Sequence, residues 1–276
     1  MNNRSILNIV LLCIVLVLIF IVVFQSGEQD EEASLTELHS SDINEISISL
    51  PYKESVVLVR EAAGWKITEP IEARANPLRI EMLLQLAAAR SYARYPAQSL
   101  ELKHYQLAPP LGSIRFNQQS LFFGGVEALN RRRYVLSGES VQLIAERYFY
   151  QTMVTLPALL DPAILPFDAE LNRIELPSYS VTRSDEGVWV MDGSELSSID
   201  DVNAFVKNWQ QAKAARITPY NNNDVVNGLI KVSLSDGRLL EFELLQTHPE
   251  LILGRRDFAM RYHFDEQQGL LGLSGK

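Results

Sequence analysis

The stretch LILGRRDFAMRYHF, Leu251 to Phe264, places three arginines, Arg255, Arg256 and Arg261, beside Asp257 and His263 within fourteen residues. Such a set could hold an anion through guanidinium groups or pass a proton through the imidazole. A similar set occurs upstream in FFGGVEALNRRRYVL, where Gly125 matches Gly254 and Arg133-Tyr134 matches Arg261-Tyr262. A position written twice is expected to do a structural job first. An arginine stem covers apolar sheet surface while its charge stays wet, and the guanidinium stacks on a neighbouring ring. The competing reading is a ligand or partner contact, for which the candidates are Arg255, Arg256, Tyr262, Arg133 and Tyr134.

Other chemistries find little to start from. There is no Gly-x-Ser-x-Gly elbow, and GLSGK is a terminal tail. FFGG and LILG lack the Lys-Ser/Thr that a phosphate-cradling loop requires. His39, His104, His248 and His263 are scattered, with no His or Cys at metal-ligand spacing. Asp200 and Asp201 stand at a predicted helix start, where they offset the positive end of the dipole. A hydrolase built from carboxylates of both halves would need a nucleophile, base and oxyanion partner that the sequence does not display. Trp65, Trp189 and Trp209 read as core residues in preference to a glycan-binding face, with Trp65 and Trp189 plugging equivalent cores. The expectation is a non-enzyme with no catalytic residue, no cofactor and no metal.

The elements that would position these residues are legible in the periodicity. INEISISL alternates Ile46, Ile48 and Leu50 with polar residues, a half-buried strand broken at Leu50-Pro51. Val57 and Val59, then Trp65 and Ile67, continue as strands around the turn EAAG. LNRIELPSYSVTRSDEGVWVM repeats this plan with Leu176-Pro177, the turn SDEG and Trp189. Each half then enters a helix. Asn76 caps one, with Pro77 at its first position and Leu78, Met82, Leu83 and Leu86 as its apolar stripe. Ser198 caps the other, whose stripe is Val202, Phe205, Val206 and Trp209. Both close on Ala-Ala-Arg, at Ala88-Ala89-Arg90 and Ala214-Ala215-Arg216. Hairpins turn at Asn117-Gln118-Gln119 and at Ser235-Asp236-Gly237. The sequence therefore predicts an α+β fold made of two similar antiparallel-sheet-plus-helix units, an internal duplication over residues 43–165 and 166–276. Between them, AERYFYQTMVTLPALLDPAILPFD is too rich in proline for a long helix.

Ahead of these units, Ile6 to Phe24 is a nineteen-residue run whose only polar member is Asn8. As a helix it spans about 28 Å, the thickness of a bilayer's hydrocarbon core. It ends in VVFQSGEQDEE, without the small-x-small site of a cleaved signal peptide. The sequence thus predicts a cytoplasmic N-terminus at 1–5, a transmembrane anchor at 6–24 and an acidic tether at 25–42. Arg4 before the span and acids after it leave the body outside the cytosol. In a Gram-negative cell that is a single-pass inner-membrane protein with a periplasmic body. Cys13, the one cysteine, falls inside the span, and IVLLC lacks the small residues that precede a lipid-attachment cysteine, so the body has no thiol or disulfide chemistry. The formal net charge is −9, with no basic stripe, which argues against nucleic acid as a partner.

Four stretches carry a family resemblance. GWKITEP (64–70), the Asn-Pro-capped helix, HYQLAPP (104–110) and FFGG…RRRYVLSGESVQLI together resemble the family termed domain of unknown function 4340. That family shows a Trp-containing hairpin ending in Pro, a Leu-rich helix and a YGL-x-x-P stretch in the same order. Here Gln106 stands where glycine is usual, so the turn is expected to differ. The resemblance covers mainly residues 43 to 165, with a weaker echo to 276. It implies an α+β periplasmic domain, often behind an N-terminal anchor, in proteins associated with ABC-type transport or gliding-motility auxiliary components. It brings no established catalytic residues. The functional expectation is an anchored interaction or scaffold protein, held in the bilayer by residues 6–24 and serving an ABC-type transport or envelope assembly through a membrane or envelope protein partner. The alternative is a periplasmic small-molecule or glycan-binding domain using the cleft between the two units.

Overall fold

The computed structural model describes residues 15, 17, 33–192, 198–221, 223–265 and 269–272. The expected anchor at 6–24, apart from Val15 and Val17, and the start of the tether lie outside the described residues. Among the described residues no helix is long and apolar enough to cross a membrane. The chain groups into two compact units, residues 1–43 with 83–152 and residues 44–82 with 153–276.

The first sheet is built from β1 (Glu45–Ser49), β2 (Val56–Glu61), β3 (Gly64–Glu69), β4 (Ala73–Arg74), β5 (Ala93–Pro96), β6 (Gly112–Phe116), β7 (Gln119–Val126), β8 (Arg132–Ser137) and β9 (Ser140–Ala145). Its order is β4-β3-β2-β1-β6-β7-β8-β9-β5. The second sheet uses β10 (Leu171–Glu175), β11 (Ser180–Arg183), β12 (Trp189–Asp192), β13 (Arg216–Pro219), β14 (Gly228–Leu234), β15 (Leu239–Gln246), β16 (Leu251–Arg255) and β17 (Met260–Phe264). Its order is β12-β11-β10-β14-β15-β16-β17-β13. Apart from the extra edge strand β4, the two orders run in parallel, position for position.

The alternation read from the sequence sets the register. Ile46 lies opposite Leu58 and Ile48 opposite Val56, and all four are buried. In the second sheet Ile230 faces Phe242 and Val232 faces Leu240. The expected turns are present. Gly187 and Gly237 take the positive φ values, 82° and 88°, that their hairpins need.

Helix α1 (Pro77–Ala87) starts as expected: the Asn76 side-chain oxygen accepts from the amides of Leu78 and Arg79, at 3.1 and 3.4 Å. Its buried face differs from the expected stripe. Ile80, Leu83, Leu86 and Ala87 are buried, whereas Leu78 is 59% exposed. Leu78 belongs to the first turn, and the i, i+3, i+7 row that meets the core begins two residues later. Two short helices follow β9, α2 (Arg147–Thr152) and α3 (Leu156–Leu159). Helix α4 (Ile199–Gln211) carries a complete capping box, in which the Ser198 hydroxyl accepts from the Asp201 amide while the Asp201 carboxylate accepts from the Ser198 amide. Val202, Phe205, Val206 and Trp209 are all buried, as their spacing predicts. Burying each such side chain contributes about 1.5–3 kcal/mol. Trp65 and Trp189 do not plug cores; both are only half-buried. Each stands at the hairpin end of its strand, opposite an arginine, Arg60 and Arg183 respectively. The Arg60 guanidinium lies 5.1 Å from the Trp65 ring.

Candidate functional site

Arg133, on β8, is buried with its charge inside the first unit. Its Nε donates to Glu146 at 2.8 Å, its Nη2 donates to the other carboxylate oxygen, and its Nη1 donates to the Gly124 carbonyl at 2.6 Å. The guanidinium lies 3.9 Å from the Phe149 ring centre. Three of its five N–H donors and one face of the guanidinium are therefore taken up by the protein. Tyr134 packs edge-on against Tyr105 with ring centres 4.8 Å apart, and burial pushes its hydroxyl pKa up. A 3-10 turn, Leu102–Tyr105, closes on Gln106 in the left-handed region (φ 55°), so glutamine here adopts a conformation glycine reaches freely. This turn presses on β7 at Gly124, where a Cβ would lie 2.3 Å from the Tyr105 carbonyl oxygen.

Arg255, at the end of β16, is used in the same way. It is buried, forks onto Asp257 through Nε (2.9 Å) and Nη2 (2.6 Å), and lies 4.4 Å from the Phe258 ring. Arg256 is exposed and donates from Nε to Glu243 at 2.7 Å. Glu243 also accepts a short hydrogen bond from the Tyr220 hydroxyl. Burial alone would raise the Glu243 pKa, but these donors outweigh it and hold the carboxyl below its usual range. Gly254 lets the Tyr220 ring lie on the strand, since a Cβ there would sit 2.9 Å from the ring. Tyr262 is buried, which pushes its pKa to about 12.

Arg261 and His263 join a polar network that sequence reasoning did not assemble. The alternate residues Arg216 and Thr218 of β13 lie opposite His263 and Arg261 of β17. The Thr218 hydroxyl is hydrogen-bonded to His263 Nε2 at 2.8 Å, and His263 Nδ1 to Glu250 at 3.0 Å. Arg216 donates to both Glu250 oxygens, at 2.8 and 3.0 Å, and Arg261 bridges Thr218 and Asp224, each at 3.2 Å. The His263 hydrogen bond, with Arg216 behind it, holds the Glu250 carboxyl below its usual pKa. Hydroxyl, imidazole and carboxylate stand in the order of a nucleophile relay. Here Arg261 also donates to the hydroxyl, and neither cavity described below opens on Thr218. The network clamps edge strand β13 to β17. Its signal was the pair of alternations Arg-x-Thr and Arg-x-His, which become one site only when the two strands are known to be neighbours.

The five nominated residues are carried by strands of two different sheets. Arg133 and Tyr134 lie on β8 and Tyr262 on β17, with Arg255 on β16 and Arg256 just after it. By strand order β8 stands where β16 does. The match of Arg133-Tyr134 with Arg261-Tyr262 is thus displaced by one strand. Among the described residues no three His, Cys, Asp or Glu side chains gather as a metal site. One cavity, of about 510 Å³, is lined by polar groups including Thr36, Arg94, Gln119, Ser137 and Gln142. A second, of about 400 Å³, has largely aliphatic walls, among them Ile48, Val56 and Met260. None of the five nominated residues lines either one.

The family model described as Domain of unknown function (DUF4340) matches residues 65–238, more than half of the chain. No curated protein and no solved structure matches.

Proposed function

We propose, for a chain that belongs to the DUF4340 family, a role as a single-pass inner-membrane-anchored periplasmic interaction or scaffold protein, auxiliary to an ABC-type transport or envelope assembly. In this reading residues 6–24 are the anchor and residues 43–165 and 166–276 are a duplicated pair of sheet-plus-helix units. The shared strand order, with a helix entering the edge strands β5 and β13, supports the duplication.

The observation that carries the interaction role is the margin of the second sheet. Val188 and Val190, on and beside the outermost strand β12, are 45% and 54% exposed. Apolar side chains at a sheet margin are a place for a partner to pack. The arginines support a non-catalytic reading, because Arg133, Arg255, Arg256 and Arg261 are each held by a carboxylate of the same chain. The test is photocrosslinking in cells from a benzophenone amino acid placed at Val190. The expected result is a discrete adduct with one envelope protein, lost when Val188→Asp is added. An adduct-free chain at normal abundance would overturn the role.

A further inference from the structure

The unit made of residues 44–82 and 153–276 holds a groove of about 400 Å³ that the interaction reading does not use. Its lining includes Ile48, Leu50 and Val56 together with Val154, Leu156 and Met260. Ile48, Val56 and Met260 are otherwise buried, so the groove is an opening into the hydrophobic core. The charged residues of its lining, Lys53 and Glu54, are both exposed and follow Tyr52 in the connection between β1 and β2.

Tyr52 marks this place as more than a packing gap. Its side chain is fully exposed, and its φ is +60°. A left-handed backbone costs an L-residue about 1–2 kcal/mol. A tyrosine whose ring stays in solvent recovers none of that from burial. Strain kept at an exposed aromatic residue beside a groove is a pointer to binding.

The lining chooses the ligand class. Sugars, nucleotides and peptide backbones would bring polar groups into aliphatic walls where few partners await them, at a cost for each. A hydrocarbon chain brings none, and each buried methylene is worth about 0.8 kcal/mol. The volume is near the small end of the roughly 300–1,000 Å³ range of ligand pockets, which suits a single chain. We infer that this groove binds one acyl chain of a monoacyl carboxylate, a free fatty acid, with the chain along Ile48, Val56, Val154 and Met260 and the carboxylate at Lys53. Glu54 stands next to Lys53, so the head group orients the ligand and chain burial supplies the affinity. The inference does not depend on residues 6–24 acting as an anchor.

The test uses the full chain held in amphipol and a fatty acid carrying a diazirine at its methyl end. After irradiation, peptide mapping is expected to place the label on residues 48–56, 154–157 or Met260. Excess palmitate is expected to reduce labelling about tenfold, and Val154→Asp to do the same, equivalent to about 1.4 kcal/mol of lost binding. Thermal unfolding of the Val154→Asp chain, expected to stay close to that of the parent because Val154 is only half-buried, checks that a labelling loss is not a folding loss, and Val154→Leu, which keeps the wall apolar, is expected to keep the palmitate-sensitive label. Label spread over the surface, or insensitive to palmitate and to Val154→Asp, would overturn the inference. Competition by a lysophospholipid but not by palmitate would overturn its choice of a carboxylate.

Discussion

Arg133 shows how a residue that looks like a binding group becomes a structural one. Its charge is buried, and the fork onto Glu146 with the third bond to the Gly124 carbonyl ties it to partners of its own chain. Removing one member strands the other inside the protein, which costs about 3–5 kcal/mol, whereas replacing both with apolar residues is far milder. Arg133→Met is expected to lower unfolding stability in urea by about 3 kcal/mol, and adding Glu146→Leu to restore most of it. A smaller loss for the single than for the double substitution would contradict this account. Tyr262 makes a second prediction at this scale. Burial raises its folded pKa from 10.0 to about 12. The folded chain therefore holds this proton more tightly than the unfolded chain does. The stabilisation is fully present below pH ~10 and is lost as the pH climbs toward ~12, by about 2–3 kcal/mol. Tyr262→Phe is expected to flatten that part of the stability profile, although Tyr179, also pushed to about 12 by burial, will keep some slope. Glu250 acts at the other end: with its pKa depressed by His263 and Arg216, its contribution holds above the usual glutamate range and fades as the pH falls.

The elements divide into those that local rules dictate and those that only the neighbouring chain decides. Helix α4 belongs to the first kind. Its cap, its acidic first turn and its four-residue stripe were all readable, because each is set by residues within one or two turns. Ser198→Ala is expected to cost about 1 kcal/mol, as the reciprocal cap is lost. Gly124→Ala belongs to the second kind. Its added methyl would meet the Tyr105 carbonyl and Leu107, and such crowding costs about 1–3 kcal/mol or shifts the Gln106 turn. Thermal unfolding of the two variants, compared with the parent chain, measures both. Strands β1 to β3 and the Ser-Asp-Gly hairpin were legible from alternation and turn chemistry. The pairing of Arg133-Tyr134 with Arg261-Tyr262 was not, because Arg-Tyr recurs on strands that hold different places in their sheets. The Thr218–His263–Glu250 network was missed for the same reason. Its members lie up to 45 residues apart, and only sheet neighbourhood brings them together. Leu78 misled because an apolar residue in a first turn mimics the start of a stripe while lying outside the packed face.

At the scale of the whole molecule, charge and hydropathy make opposite demands. A chain with a formal charge of −9 is repelled by anionic lipid, so electrostatic adsorption cannot hold it on a bilayer. On the anchored reading, attachment comes from burying the Ile6 to Phe24 run. The chain is then expected to sediment with membranes, to stay there through high salt and alkaline carbonate, and to leave only with detergent. Release by salt alone would place it on the surface and remove the anchor from the account. The two sheets set a different constraint. On the scaffold reading, two sheets that share a strand order can offer related faces to two partners or to two parts of one partner, and both hold a buried arginine on the matching strand, Arg133 on β8 and Arg255 on β16, forked onto a nearby carboxylate.

Trp209 has a practical consequence. Its indole is fully buried, close to Phe242, with its N–H donated to the Leu270 carbonyl at 3.0 Å, while Trp65 and Trp189 are part-exposed. One dry chromophore among two wetter ones is a built-in optical gauge. Loosening of the second sheet's interior, or release of the tail at Leu270, registers as a red shift in emission without any label being attached.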